Sequence, residues 1–506
     1  AAFTGRLGSD VLTVATAVGN FSDKNVANPK TVNVTGLSLG GADAGNYTLA
    51  STTTTTAAAI TPATISAVGG LTASKVYDGS TGATAVTTGA TFTGAVPGDN
   101  LTVTVASASF ADKNVGTGKV LTASGLTLGG TDAGNYSFAV ATSTGTGVIT
   151  QRPLSTWTGA GGDGLWANPL NWDAIPDLSN VAAVSIPAGA GSVTFDSSVG
   201  ATSLQMISSL RPLAMASGSL AVSNTLAVED FSQSGGAVTG TGSLIATNSF
   251  SQTGGSIAMG SLTLVQNSGN LSFTNLSGTT VALVASSGAI SQSGPLVAGT
   301  LTSSSQSGTT LTNAGNQISN LFAENLGSGA ISVSSIGPMN VLGLDNAGGN
   351  ISVSTAGAMS LFGPATSATG NVSLAATGPS GNLGLFAPVT AGNQVVLDAA
   401  QTLTQDAAVT GANGVTADAG VSMVYGTFAT ANYVPVVYRV NGLAVAAPAS
   451  TLVVTDSTAE IPPLVTFVEL LVQLVDPPPD ATDFTADGKR KDQAEGTIVA
   501  EGEVCK

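Results

Sequence analysis

A six-residue motif, F-S-Q-S-G-G at Phe231–Gly236, returns 19 residues later as F-S-Q-T-G-G at Phe250–Gly255. A shorter form lies at Ile290–Gly294, and I-S-V-S at Ile331–Ser334 returns 20 residues later. Each repeat holds short apolar runs divided by Gly, Asn and Ser, so one repeat alone could not bury its apolar face. Stacked repeats bury a continuous core. The pattern therefore predicts a parallel, right-handed β-helix of about a dozen turns and about 55–60 Å in length.

A second, longer repeat fills the first 150 residues. Residues 1–61 align with residues 90–150 without a gap, 89 positions apart. F-S-D-K-N-V at Phe21–Val26 becomes F-A-D-K-N-V at Phe110–Val115. Alternating apolar and polar residues between Gly, Pro and Asp turns predict small antiparallel modules, sandwich-like or β-grasp-like. The second copy contains Lys75–Gly79, whose counterpart would lie before residue 1.

Composition shifts divide the remainder of the chain. All three tryptophans fall between Trp157 and Trp172, which is typical of a local core or cap. Beyond residue 420 the short repeat is lost and tyrosines appear, which indicates a cap over the open strand edges of the last turn. The predicted class is all-β: small β-sandwich or β-grasp-like modules, then a parallel β-helix and a C-terminal cap. The predicted segments are a partial module (1–62), a complete module (63–152), a Trp-rich entry segment (153–191), the β-helix (192–420), the cap (421–475) and a charged tail (476–506).

Composition also excludes several classes of function. The 506 residues carry a net charge of -16 with only 13 Lys and Arg, so phosphate neutralisation is excluded and no nucleic-acid partner is expected. Hydrophobic residues make up 42 %, which is enough for a core and unlike a disordered chain. No apolar run is long enough for a membrane-spanning helix. With no histidine and one cysteine, Ser-His-Asp and Cys-His catalysis and Cys/His zinc sites are excluded, and neither cofactor nor metal is expected.

One carboxylate pair is a candidate catalytic site. Glu324 and Asp345 lie 21 residues apart, about one turn of the predicted β-helix, in the similar contexts A-E-N and L-D-N. Polysaccharide-cleaving β-helices use paired carboxylates together with a basic residue. The only basic residues between Lys119 and Arg439 are Arg152 and Arg211. The preferred interpretation is two solvated turn residues.

The turn motifs of the modules are interpreted mainly as structural. The D-A-G-N-Y loops could hold a small cation or a sugar. The favoured reading has Asp starting a turn, Gly at positive φ and Tyr filling the module core. Y-D-G is read in the same way, with Asp-Gly as a tight turn. The residues concerned are Asp43, Asn46, Tyr47, Tyr77, Asp78, Gly79, Asp132, Asn135 and Tyr136. Glutamines 233, 252 and 292 recur at one position of the short repeat and are predicted to form a buried amide ladder.

These strings resemble a known family of bacterial surface proteins. V-Y-D-G, F-x-D-K-N-V and G-L-x-L-x-G-x-D-A-G-N-Y, with a closing Ile149-Thr150, resemble the YDG/MBG-type repeats of the filamentous haemagglutinin class. The W-x-G…W-x-N-P…N-W…P pattern from Trp157 resembles the entry segment of secreted β-solenoids, and Leu311–Ile318 resembles haemagglutinin-type turns. The resemblance implies the C-terminal part of a two-partner-secreted adhesin with an outer-membrane partner transporter.

The single cysteine, Cys505, stands next to the last residue given. In some adhesins of this class a C-terminal cysteine pair tethers the fibre at its transporter. One cysteine cannot form that loop. Cys505 is therefore expected to make an intermolecular disulfide or anchor, or to be an incidental thiol.

Together these features predict a secreted, non-enzymatic adhesin at the bacterial outer-membrane-associated cell surface. Its β-helix would be a stiff shaft, and its partners a host or neighbouring-cell surface or a matrix polysaccharide, held by many weak contacts. An alternative is a self-assembling extracellular fibre subunit, completed by strand exchange between copies of the chain. A further alternative is a carbohydrate-active β-helix enzyme.

Overall fold

The computed structural model describes residues 1–196, 201–426, 431–432 and 436–448. Within these ranges the protein is all β and has no α-helix, which confirms the predicted class. The only helical pieces described are three single-turn 3-10 helices, Ala44–Asn46, Ala133–Asn135 and Pro169–Asn171. The chain divides into two compact units, one within residues 1–150 and one from residue 151 onward.

The first module is a three-stranded antiparallel sheet in the order β1-β2-β3. Its strands are β1 (Thr13–Phe21), β2 (Ala27–Gly40) and β3 (Thr54–Ile60). Apolar and polar residues alternate along β1, as they do in a sheet with one buried face, yet every residue of β1 is exposed. No layer formed by the described part of the chain covers the apolar side chains of β1.

The second module contains the same three strands and adds others. Its strands are β4 (Ala63–Ile65), β5 (Ala67–Gly69), β6 (Thr72–Val76), β7 (Gly82–Ala83), β8 (Thr91–Thr93), β9 (Thr102–Phe110), β10 (Gly116–Gly129), β11 (Tyr136–Phe138) and β12 (Thr142–Thr150). The main sheet has the order β6-β12-β10-β9-β7, in which β9, β10 and β12 correspond to β1, β2 and β3. Strand β6 runs parallel to β12 and has no counterpart in the first module. With these additions Tyr77, Leu121 and Ile149 are fully buried.

The second unit is a parallel β-solenoid of about 12 turns, as the short repeat predicts. Its first strands are β13 (Arg152–Thr156), β14 (Val181–Ile186), β15 (Val193–Phe195), β16 (Ala201–Ser209), β17 (Leu213–Met215), β18 (Ser219–Gln233), β19 (Ala237–Thr239), β20 (Ser243–Gln252), β21 (Ser256–Gln266), β22 (Leu271–Phe273), β23 (Leu276–Ala285), β24 (Ile290–Gln292), β25 (Leu296–Ser305), β26 (Thr309–Leu311) and β27 (Gln317–Ser328). The repeated motifs lie side by side, with Phe231 paired to Phe250.

The later turns show the cross-section most clearly. Within residues 351–419 each strand pairs with the strand three places further on, so each turn has three strands. Ile351, for example, pairs with Val372. The strands are β28 (Ile331–Ser335), β29 (Met339–Gly348), β30 (Ile351–Thr355), β31 (Met359–Leu361), β32 (Ala365–Ser367), β33 (Val372–Ala376), β34 (Leu383–Leu385), β35 (Val389–Ala391), β36 (Val395–Ala399), β37 (Thr402–Gln405), β38 (Val409–Gly411), β39 (Val415–Ala419), β40 (Ser422–Tyr425), β41 (Ala431–Asn432), β42 (Val436–Val440) and β43 (Leu443–Val445).

Parallel pairing extends beyond both predicted ends of the β-helix. Strand β13 already pairs with β14, so the first turn lies within the segment predicted as the entry. At the other end β42 pairs in parallel with β39, twenty residues past the predicted boundary at 420. Strand β43 then folds back antiparallel to β42. The rest of the predicted cap, the charged tail and Cys505 lie outside the described residues.

The tryptophans close the first turns of the solenoid. Trp166 and Trp172 meet edge to face at 4.7 Å between ring centroids, and Trp166 meets Phe195 at 5.2 Å. Trp166 Nε1 donates to the Pro176 carbonyl at 3.1 Å. A parallel bridge between Leu165 and Thr194 joins this segment to β15. The tryptophan cluster therefore caps one column of strands with a local aromatic core.

Candidate functional site

An exposed apolar column runs along one corner of the later solenoid turns. Leu342, Phe362 and Phe386 are 42 %, 57 % and 48 % exposed. The Phe362 amide donates to Val341 and the Phe386 amide to Leu361, so the three side chains occupy one position in successive turns. The two phenylalanine rings are nearly parallel, 15° apart, with centroids separated by 5.5 Å. We call these three residues the apolar column.

Glycines beside the column let aromatic rings lie against the solenoid. A Cβ at Gly384 would stand 2.7 Å from Cε2 of Phe386, and one at Gly343 would stand 3.0 Å from Cε2 of Phe322. No ordinary side chain fits at Gly384 without moving the ring. Because large exposed apolar groups on soluble proteins often mark interaction surfaces, the column is the strongest candidate surface of the solenoid.

The structure brings the predicted carboxylate pair together. Glu324 in β27 and Asp345 in β29 are direct partners on adjacent turns. Glu324 Oε1 accepts a hydrogen bond from the Ser304 hydroxyl at 2.6 Å. In the next two turns, Thr366 and Thr390 occupy the position of Glu324 and Asp345. These residues follow the apolar column by three or four positions in each turn, as Asp345 follows Leu342 and Thr366 follows Phe362. The sequence holds no basic residue between Arg211 and Arg439.

The D-A-G-N-Y loops form 3-10 turns in both modules. The predicted positive φ at Gly45 and Gly134 is wrong, because the left-handed glycines are Gly41 and Gly130, just before the loops. A Cβ at Gly130 would lie 2.4 Å from the Asn100 carbonyl oxygen, so only glycine allows this close approach. The helical turn itself requires no left-handed residue.

The tyrosines of the loops are hydrogen-bonded to carboxylates. Tyr136 is buried and its hydroxyl donates to Asp99 Oδ2 at 2.7 Å. Tyr47 donates in the same way to Asp10 Oδ2 at 2.6 Å. Asp99 raises the pKa of Tyr136, and Asp10 raises that of Tyr47, because each carboxylate stabilises the protonated phenol.

A lysine of the first module is held by two carboxylates of the second. Lys24 Nζ lies 2.5 Å from Asp99 Oδ1 and 2.7 Å from Asp132 Oδ1. The Val26 amide donates a hydrogen bond to Asn135 Oδ1 at 2.9 Å. The lysine holds the pKa of Asp99 and Asp132 below their usual range, and the two carboxylates raise the pKa of Lys24. The D-K-N and D-A-G-N-Y motifs thus form one electrostatic junction between the modules.

The Y-D-G motif makes a turn at the edge of the second module. Tyr77 is fully buried, and Gly79 has a φ of 80°. Asp78 Oδ1 accepts from the Ser80 amide at 2.9 Å and pairs with Lys75 at 2.6 Å. These contacts account for the motif as a turn.

The predicted glutamine ladder is present in part. Gln252 Nε2 donates to Gln233 Oε1 at 2.9 Å. Phe273 occupies the next turn and separates Gln292 from this pair. Gln292 instead exchanges two hydrogen bonds with Asn316, at 2.8 and 2.9 Å.

A second buried amide pair joins adjacent turns and was not predicted from the sequence. Asn325 Nδ2 donates to Asn346 Oδ1 at 2.9 Å, and both side chains are buried. The sequence feature that could have predicted this pair is the asparagine that ends both A-E-N and L-D-N, next to Glu324 and Asp345. The inward residues of these strings hold the turns together, while the carboxylates face outward.

Comparison with known proteins identifies the modules. Residues 1–56 and 61–145 match the YDG domain family. This supports the YDG/MBG-type repeat inferred from V-Y-D-G and D-A-G-N-Y. No curated protein and no solved structure matches the chain.

The described residues contain no group of three or more His, Cys, Asp or Glu side chains placed to hold a metal ion. They also contain no helix of the length and apolarity needed to cross a membrane.

Proposed function

We propose that this chain is part of a secreted, non-enzymatic bacterial surface adhesin. The solenoid serves as a stiff shaft, and its exposed corner attaches to a neutral polysaccharide of the extracellular matrix. An outer-membrane partner transporter would deliver the chain to the cell surface. The YDG modules and the β-solenoid support a β-helical repeat protein, and the apolar column is the observation that carries the binding function.

The chemistry around the column favours a neutral glycan. Aromatic rings offer apolar faces to the C–H faces of sugar rings, and the hydroxyls of Thr366 and Thr390 offer hydrogen bonds one strand away. The neighbouring charges, Glu324 and Asp345, are both negative, so a polyanionic glycan would be repelled. Turns stacked at about 4.8 Å repeat the contact along the rod, and repeated weak contacts multiply affinity.

The proposal predicts selective retention on immobilised polysaccharide. The chain should bind neutral glucans or galactans in preference to polyuronates. The double variant Phe362→Ser/Phe386→Ser should bind about thirtyfold more weakly, since two aromatic contacts of about 1 kcal/mol each are lost. Leu326→Ser is the matched control, because Leu326 is equally exposed on the same solenoid away from the column.

The same experiment addresses catalysis. A non-enzymatic adhesin releases no soluble oligosaccharide from the bound polysaccharide. Release that disappears in Glu324→Gln/Asp345→Asn would replace the adhesin proposal with a carbohydrate-active enzyme. Equal retention by the column variant and its control would remove the apolar column as the binding surface.

A fibre subunit is the second candidate, favoured by the open edge of the first module. Among the described strands, β3 has no neighbour on the side where β6 pairs with β12 in the second module. A strand from another copy of the chain could add there by β-augmentation. Electron micrographs of single rods support the adhesin, whereas long fibres with a regular axial repeat support the homopolymer.

A further inference from the structure

The first module carries a second copy of the groups that hold Lys24. Asp10, Asp43 and Tyr47 are the counterparts of Asp99, Asp132 and Tyr136, each 89 residues earlier. Tyr47 donates to Asp10 Oδ2 at 2.6 Å, as Tyr136 does to Asp99 at 2.7 Å. The pair of Asp10 and Asp43 is called here the open socket.

The backbone holds both sites in the same way. The Val11 amide donates to Asp43 Oδ2 at 2.8 Å, and the Asn100 amide donates to Asp132 Oδ2 at 2.8 Å. In each aspartate of the second module the other oxygen, Oδ1, contacts Lys24. Among the described residues, Oδ1 of Asp10 and of Asp43 accepts no hydrogen bond. The open socket therefore has the same geometry as the site of Asp99 and Asp132, which Lys24 occupies.

We infer that the open socket docks the D-K-N loop of a further YDG module, with that module's lysine between Asp10 and Asp43. The asparagine contact has its counterpart too, because Asn46 stands where Asn135 receives the Val26 amide. The junction is thus a repeating head-to-tail connection, lysine of one module to aspartates of the next. This inference does not depend on the adhesin proposal.

The energetics favour a module joined in tandem over a separate molecule. Lys24 keeps 58 % of its side chain exposed, although Asp99 and Asp132 keep only 8 % and 15 %. An ion pair whose lysine stays this exposed is weak, because solvent screens its charge, and it is too weak to join free molecules at ordinary concentrations. A short chain connection raises the effective concentration to the order of millimolar, at which such contacts form.

Zero-length carbodiimide cross-linking tests the inference. The extended chain has one more period, a copy of residues 1–89 placed directly before Ala1, with Ser22→Ala in that copy as a mass marker. Tryptic peptides should show the marked Lys24 loop linked to Asp10 or Asp43 of the original copy. Lys24 should be linked to Asp99 or Asp132 in both the original and the extended chain.

The control variant carries Asp10→Asn/Asp43→Asn in the original copy only. It should lose the marked link and keep the Lys24 link to Asp99 or Asp132. No link at Asp10 or Asp43 in the extended chain, while the Lys24 link forms, would overturn the inference. Links at these residues between separate molecules would overturn its tandem form, and absence of the Lys24 link from both chains would remove its basis.

Discussion

A single lysine organises the contact between the two YDG modules. Lys24 reaches Asp99 and Asp132, which lie 75 and 108 residues away in sequence. Both carboxylates are largely shielded from solvent, whereas Lys24 stays mostly exposed, so the lysine supplies the positive charge that these two aspartates face. The contact is therefore best tested through its dependence on charge.

We expect Lys24→Met to remove a pH-dependent part of the stability of the modules. Lys24 lowers the pKa of both aspartates in the folded state. The stabilisation is therefore complete above the ordinary carboxyl pKa of about 3.9 and is lost as the pH falls through the lower folded values. The difference in melting temperature between the parent protein and Lys24→Met should be constant near neutral pH and vanish in acid. Arg6→Met loses the same charge without touching a carboxylate and should leave the acid profile unchanged.

Buried amides decide the stability of the early turns. Gln252 binds Gln233 on one side and accepts from the amides of Thr274 and Asn275 on the other, both at 3.0 Å. We expect Gln252→Leu to lower the free energy of unfolding by about 3 kcal/mol, because several buried polar groups lose their partner. Ser251→Ala, on the exposed side of the same strand, should change it by less than about 0.5 kcal/mol. Urea unfolding followed by circular dichroism measures both, and equal effects would contradict the assigned role.

The amide pairing in these turns was predictable from the sequence only in part. The spacing of Gln233 and Gln252 predicted the one bond that forms. Gln292 does not join the ladder because Phe273 occupies the position between Gln252 and Gln292. Only the register of the strands shows this. In the modules, the sequence predicts a turn at D-A-G-N-Y and shows D-K-N only as a repeated motif, because no local signal indicates that residues so far apart in the chain are in contact.

At the scale of elements, the solenoid turn was predictable because its physics is local. A turn needs about 20 residues for three short strands and their corners, and inward apolar residues recur at that spacing. The tryptophan cap was predictable for a similar reason, since aromatic clustering marks a local core. Its hydrogen bonds, such as that from Trp166 to Pro176, were not, because they depend on the fold of the loop.

The cap gives a prediction at this scale. Trp166→Ala should destabilise the first turns by about 3–5 kcal/mol, because it empties the centre of a fully buried aromatic cluster. Hydrogen exchange should then become faster in Val193–Phe195, next to the cap, and stay unchanged in Val395–Ala399. Leu165→Ala, at the exposed neighbouring position, should leave both strands protected. Uniform loss of protection along the solenoid would show that the cluster is not a local cap.

At the scale of the whole molecule, the two repeat lengths predicted the fold class and the architecture, but they did not predict the exposed apolar column. The apolar column had a signal in the sequence, L-F-G-P at Leu361–Pro364 and L-F-A-P at Leu385–Pro388. A periodic phenylalanine in a solenoid normally indicates an inward residue, so only the structure shows these two to be exposed. The carboxylate pair was placed correctly on adjacent turns, because 21 residues is close to one turn.

The adhesin account rests on repeated contacts along the column, and a length series of neutral oligosaccharides tests this most directly. Calorimetric titration of the full chain should show affinity rising with each added sugar unit up to three or four units. The reason is that one sugar ring is similar in length to the distance between stacked turns, about 4.8 Å. Phe362→Ser/Phe386→Ser should abolish this dependence on length, and Leu326→Ser should preserve it. An affinity independent of length, or unaffected by loss of both phenylalanines, would contradict the account.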